Sequence, residues 1–262
     1  MINLLDIKKD VQDTMRKAGE ILLSFFGTAL TKRDKEGSGF VTEADVASEK
    51  FLIEYLSAIL PQASIFAEES GETHTGNSEY CWVIDPLDGT TNFAHGLSYF
   101  CISVALTYKG EPVLGCIYCP TLKEMFYAQK DAGAFLNDNA ISVSSVSSFD
   151  ESFLAIGVPY RKDDAYLKRF ITAFSDIMGK SFAFRHFGAA ALDLAYVACG
   201  RFDAIFFEDL AWWDFAAGKL LIKEAGGVIT DYKNNEITAA SKSLIGASGT
   251  VHQELLNILL FD

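Results

Sequence analysis

Asp85 and Asp88 stand three residues apart at the end of an apolar run, in Tyr80–His95, YCWVIDPLDGTTNFAH. Gly89, Thr90 and Thr91 follow at once. Two acids and a glycine at the end of a strand have the chemistry of a metal and phosphate site. Gly89 can take backbone shapes that other residues resist. Thr90 and Thr91 offer hydroxyls, and N–H groups that face an anion if a helix starts there. A plain Asp-Pro/Asp-Gly turn accounts for the turn, but not for the apolar strand or for the acids elsewhere. Those acids are Asp45, Glu68 and Asp214, each beside a junction between elements. An oxygen-only set suits magnesium or manganese. Asp45 has two readings, a capping carboxylate behind Thr42 or a group aimed into a site. Of Glu68 and Glu69, strand alternation lets one face inward. Asp214 lies in WDFAAG, where small apolar neighbours leave a carboxylate wanting a cation or several donors.

Elements must carry these residues into place. Apolar periodicity predicts a helix over 2–26 and a second over 42–60, ended by Pro61. Between them Lys32–Gly39, KRDKEGSG, reads as a charged loop or flap, whose Lys32, Arg33 and Lys35 could approach a phosphate. Ser64–Ala67 and Tyr80–Ile84 read as strands, and His74–Ser78 as a loop. Strand-like runs between 97 and 128 read as an antiparallel meander. Polar 144–151 is the candidate boundary between halves 1–145 and 146–262 of one domain. Beyond it come a strand at 153–156, helices at 163–177, 189–198 and 213–224, strands at 203–207, 228–230 and 244–246, and a closing helix at 251–260. The whole is α+β, with a large antiparallel sheet and a smaller mixed one.

Composition narrows the function. The chain has 262 residues, half of them apolar, and a net charge of −13. That charge argues against nucleic acid binding, although bound divalent cations would still admit an anionic substrate. No stretch reads as a signal peptide or membrane span, so the expectation is a cytoplasmic protein. The five cysteines read as reduced core thiols; Cys116 and Cys119, three apart on a strand, face opposite ways. No G-x-x-x-x-G-K loop and no G-x-S-x-G elbow is present.

The motifs Trp82–Phe93 (WVIDPLDGTTNF), Trp213–Gly218 (WDFAAG), Phe66–Gly71 (FAEESG) and Val41–Asp45 (VTEAD), in this order, resemble the inositol monophosphatase family of lithium-sensitive, magnesium-dependent phosphatases. The resemblance implies a five-layer α-β-α-β-α sandwich and a homodimer. It implies hydrolysis of a phosphate monoester by in-line attack of a metal-activated water, using two to three Mg2+ (or Mn2+). By the same resemblance, Glu68, Asp85 and the Leu87 carbonyl hold a first metal, and Asp85, Asp88 and Asp214 a second. A third ion sits near Glu68. Thr90, paired with Asp45, activates the water, and the Gly89 and Thr90 N–H groups hold phosphate oxygens. Asp88, Ala190, Glu208 and Asp214 meet the polyol of an inositol monophosphate such as myo-inositol 1-phosphate.

One departure bears on substrate. Glu208 precedes Asp214 by six positions, where inositol-type members usually have one more, and Trp212 and Trp213 bulk out the loop. Asp209 could then replace Glu208, and Arg185 and Arg161 are either surface arginines or the partners of a second phosphate, as in fructose 1,6-bisphosphate. His95 and His186 read as packing residues.

Overall fold

The computed structural model describes residues 2–35, 39–74, 76, 78–158 and 163–259. Helices α1 (Leu4–Phe25) and α2 (Glu43–Ile59) form the first layer. The apolar side of α1, with Val11, Met15, Ala18 and Leu22, packs with Leu52 and Leu56 of α2 into one buried cluster with the first sheet. Between the helices, the expected loop is a hairpin: β1 (Lys32–Lys35) pairs antiparallel with β2 (Gly39–Thr42). Arg161 lies outside the described residues, and so do Glu36, Gly37 and Ser38 of the flap.

The first sheet has eight strands in the order β10-β9-β8-β7-β6-β5-β3-β4. They are β3 (Ser64–Ala67), β4 (Gly71–His74), β5 (Tyr80–Asp88), β6 (Cys101–Tyr108), β7 (Glu111–Cys119), β8 (Glu124–Gln129), β9 (Gly133–Leu136) and β10 (Asn139–Ile141). The expected meander is present, but β3 runs parallel to β5, so the sheet is mixed. His74, expected in a loop, ends the edge strand β4, which is held by pairing with β3. Cys116 packs in the α1/α2 cluster and Cys119 in the inner one, on opposite sides of β7.

The second sheet has the order β12-β11-β13-β15-β14, made by β11 (Phe153–Ile156), β12 (Ala183–Arg185), β13 (Ala204–Glu208), β14 (Val228–Thr230) and β15 (Ser243–Ala247). Helices α4 (Asp164–Lys180) and α7 (Gly249–Leu259) cover its outer face through Ile177, Val251 and Leu255. Between the sheets lie α5 (Ala190–Ala198) and α6 (Trp212–Glu224), whose small residues join one cluster with both. Layers therefore run α-β-α-β-α, the expected sandwich.

Close approach in the middle layer depends on missing side chains. A Cβ on Gly115 of β7 would fall 2.8 Å from the Ala217 carbonyl oxygen of α6, and one on Gly218 of α6 would fall 2.6 Å from Leu194 Cβ of α5. These contacts let α6 lie close on the first sheet, with Asp214 at its start. Gly115→Val must push α6 off the sheet, at a cost of about 1–3 kcal/mol. In a thermal melt we expect Tm to fall by roughly 2–10 °C; an unchanged Tm would refute this account of the α6 contact.

Candidate functional site

Strand β5 does not stop at Asp85. It continues through Pro86 and Leu87 to Asp88, with Asp85 opposite Ser103 and Asp88 opposite Cys101. Three steps along β5 thus match two along β6, which is a bulge. Residues three apart on a regular strand face opposite ways. The extra residue restores the alternation, so both acids turn to one side. Both feel the charge of Glu68, which follows β3, the parallel neighbour of β5. Proline fits here because a bulge needs no ladder donor at that position.

Helix starts deliver the other acids. Thr42 N and Thr42 Oγ1 both donate to Asp45 Oδ2, at 2.9 and 2.5 Å, closing a capping box on α2. The second oxygen, Asp45 Oδ1, accepts from Thr90 Oγ1 at 3.0 Å. The two readings of Asp45 are therefore both realised, one on each oxygen. Ala211 N donates to Asp214 Oδ2 at 2.7 Å, so Asp214 caps α6 in the same way. Asp88 Oδ2 takes Ala191 N at 2.7 Å and caps α5 from across the chain. Ala190, expected at the polyol, sits beside this contact at the first turn of α5. Leu87 N donates to Asp85 Oδ1 at 3.0 Å, inside the bulge.

Short helix α3 (Thr90–Ala94) begins at Gly89, whose φ of 90° and ψ of 35° are left-handed. There a side chain would also meet the Tyr99 carbonyl at 3.0 Å. Thr90 Oγ1 lies 3.1 Å from the Leu87 carbonyl oxygen as well as near Asp45. A hydroxyl has one proton, so it donates to one of the two at a time.

The acids are electrostatically crowded. Burial first, then the charges of Glu68, Asp88 and Asp214, hold Asp85 well above the usual carboxylate range. Asp214 is raised by burial and by Asp88 and Glu68. Burial pushes Asp88 up to about 7, against the pull of the Ala191 N–H. Burial also raises Asp45. Among the described residues no three such groups are already gathered tightly enough to hold an ion. Each of these carboxylates leans on a protein donor. The donor set nevertheless fits a hard divalent cation, being all oxygen, buried and in excess of nearby positive charge.

Among the described flap residues, Lys35 is the cation that reaches the acids, with Nζ 2.8 Å from Glu68 Oε1 and 2.6 Å from Glu69 Oε1. Lys32 instead lies over the Phe40 ring. The sequence leaves Lys32, Arg33 and Lys35 equivalent, because no motif fixes the spacing of the flap; the β1–β2 pairing is what aims Lys35. Glu49 was missed. It is buried on α2 and takes Glu69 N at 2.8 Å; its place one turn after Asp45 was the available signal.

Glu208 ends β13, and its carboxylate meets Arg169 Nη2 of α4 at 3.6 Å. Glu208, Asp209, Tyr232 and Lys242 line a groove of about 770 Å³. Asp209 is left-handed at φ 59°, and its N–H donates to the Lys242 carbonyl. Arg185 is exposed and stacks over Phe153. His95 caps α3 through its backbone, and His186 Nδ1 pairs with the Ile156 carbonyl at 2.9 Å. Trp82 is fully buried, and Trp213 packs on Phe66 beside Glu68.

Similarity to known proteins agrees with this geometry. A profile of the inositol monophosphatase family matches residues 6–260. The chain is 38% identical to the Nus factor SuhB of Escherichia coli (strain K12) over 247 residues, 92% of this chain and 91% of that one. It is 36% identical to the inositol monophosphatase of Dictyostelium discoideum over 253 residues, covering 95% and 93%. Among solved structures, the suhB protein of Bartonella henselae superposes with a TM-score of 0.93 at 34% identity, over 97% of this chain and 98% of that one. The IMPase of Thermotoga maritima gives 0.87 at 33%, over 98% and 97%. The chain therefore belongs to the inositol monophosphatase family and is a metal-dependent hydrolase of phosphate monoesters.

Proposed function

We propose that this chain hydrolyses an inositol monophosphate, myo-inositol 1-phosphate, to inositol and phosphate. The observation that carries the reading is the Thr90–Asp45 hydrogen bond of 3.0 Å, set at the end of the bulged strand that bears Asp85 and Asp88. The polyol preference draws support from the 36% identity to the Dictyostelium inositol monophosphatase. Glu68, Asp85 and the Leu87 carbonyl would hold one Mg2+, and Asp85, Asp88 and Asp214 a second, with a third beside Glu68. Bound there, the ions supply neutralisation of the phosphate charge and a lowered pKa for water.

The chain's own residues do the rest. Thr90 Oγ1 accepts a proton from the attacking water as it passes its own to Asp45 Oδ1. Asp45 is suited to receive it, because burial already favours its protonated form. The water oxygen bonds to phosphorus, the ester P–O bond breaks opposite, and the departing inositol oxygen takes up a proton from a second, solvent water. The N–H groups of Gly89 and Thr90, at the start of α3, would hold phosphate oxygens. Asp88, Ala190, Glu208 and Asp214 would meet the ring hydroxyls. Two chains would pair through apolar side chains left exposed around α4, among them Met178 and Phe182. Lithium sensitivity belongs to the same reading.

A second reading, fructose 1,6-bisphosphate, is favoured by the short Glu208–Asp214 segment and by the Arg169 contact, which ties up the Glu208 carboxylate. Phosphate release with Mg2+ separates the two. Inositol 1-phosphate turned over well ahead of fructose 1,6-bisphosphate, and blocked by lithium, is the expected result. The reverse order overturns the polyol reading.

Asp85→Asn should cost at least about 100-fold in turnover, since it weakens the group expected to serve two ions. Near-normal turnover would refute the ligand assignment. Thr90→Val should lower kcat by about 10²–10⁴ with KM little changed; a KM effect alone would mean that Thr90 only binds.

Raised carboxyl pKa values make the folded chain bind more protons than the unfolded one. Their contribution is thus present at low pH and is lost as pH climbs from the unfolded value of 3.8 through the folded value, about 7 for Asp88. Mg2+ binds the ionised acids. The rise in Tm on adding Mg2+ to chelator-treated protein should therefore grow between pH 5 and pH 7. A pH-independent rise would separate metal binding from the ionisation of Asp85, Asp88 and Asp214.

A further inference from the structure

Lys35 is the last residue of β1, and its ammonium bridges Glu68 Oε1 and Glu69 Oε1 at 2.8 and 2.6 Å. All three side chains are largely shielded, at 24%, 21% and 11% exposure. The bridge is braced from behind, because Glu69 N is held by the buried Glu49 carboxylate. From the geometry we infer that Lys35 is a built-in counter-ion that competes with a divalent cation for Glu68, so that metal entry must displace the flap lysine. This deepens the proposed metal role of Glu68 and rests on it.

The argument is one of charge and space. An ammonium has three donors and no acceptor, so it can sit on two carboxylates at once. A divalent cation on Glu68 would stand within a few ångströms of that ammonium, inside a partly shielded pocket where like charges repel strongly. Glu68 therefore serves one of the two cations at a time. Glu69 behaves differently. It is not among the proposed metal ligands, so it can keep Lys35 after Glu68 is given up. The lysine is then tethered at the rim, not expelled. A lysine ammonium is ordinarily charged at neutral pH, so the side chain is able to compete.

Linkage makes the test reciprocal. Calorimetric titration of the full chain with Mn2+ should show Lys35→Gln binding roughly two- to fivefold more tightly than wild type, the scale of one partly exposed ion pair. Lys32→Gln removes the same charge from the same hairpin, but from a lysine lying over Phe40; its affinity should be unchanged. Conversely, Mn2+ should speed acetylation of the wild-type Lys35 amine several-fold, read by peptide mass spectrometry, while Lys32 labels at a constant rate. Equal or weaker Mn2+ binding by Lys35→Gln, or a tightening matched by Lys32→Gln, overturns the competition. If wild type binds no Mn2+ at all, the metal reading of Glu68 fails first. The two failures are thereby distinguishable.

Discussion

Asp85, Asp88 and Asp214 raise one another's pKa together with Glu68, and the surrounding structure is arranged to keep them together. At an effective dielectric of about 20, two like charges about 4 Å apart repel by about 4 kcal/mol, and by less as they separate. Against that, a carboxylate at a helix N-terminus gains about 0.3–1 kcal/mol, and up to about 2 when partly buried. Asp45 caps α2, Asp214 caps α6 and Asp88 caps α5. These caps fix where the acids point but cannot cancel the repulsion. The remainder falls to protonation, which the raised pKa values of Asp85, Asp88 and Asp214 reflect, and to cations. Lys35 is one such cation within the chain.

That constraint explains why the site lies where several layers meet. Asp85 and Asp88 come from the first sheet, Asp45 from the outer helix layer and Asp214 from the middle layer. No single element holds more than part of the set. The middle layer is packed through Ala and Gly, with α6 against Gly115 of β7 and Gly218 against Leu194 of α5. Dense packing of this kind transmits small shifts instead of absorbing them. Geometry at the acids is thus a property of the whole sandwich, while that of the Glu208 segment is more local. Glu208, at the end of β13, depends on α4 for its Arg169 contact and on the short segment leading to Asp214.

Much of this was legible in the sequence. Apolar periodicity, Pro61 and the glycine stops marked the main helices, because those signals are local and strong. The acids were legible as chemistry, since a carboxylate beside an apolar run needs a reason to be there. Other features were not. The Lys32–Lys35 strand and the β4 edge strand exist only through pairing with partners elsewhere, which a polar composition conceals. The bulge between Asp85 and Asp88 looked like a turn, because Pro and Gly signal both.

The sequence by itself determined the kind of chemistry, an all-oxygen cluster beside a glycine and threonine hydroxyls, along with the layered α+β class. Only the tertiary structure decided which oxygen of Asp45, Asp88 and Asp214 faces a helix start. It also decided that Asp45 serves as cap and as Thr90 partner together, and that Lys35, not Lys32, lies on Glu68. The physical reason is that residue type and spacing fix local backbone preferences. The direction of a charged side chain, by contrast, is set by the sum of fields and donors that distant segments bring to it.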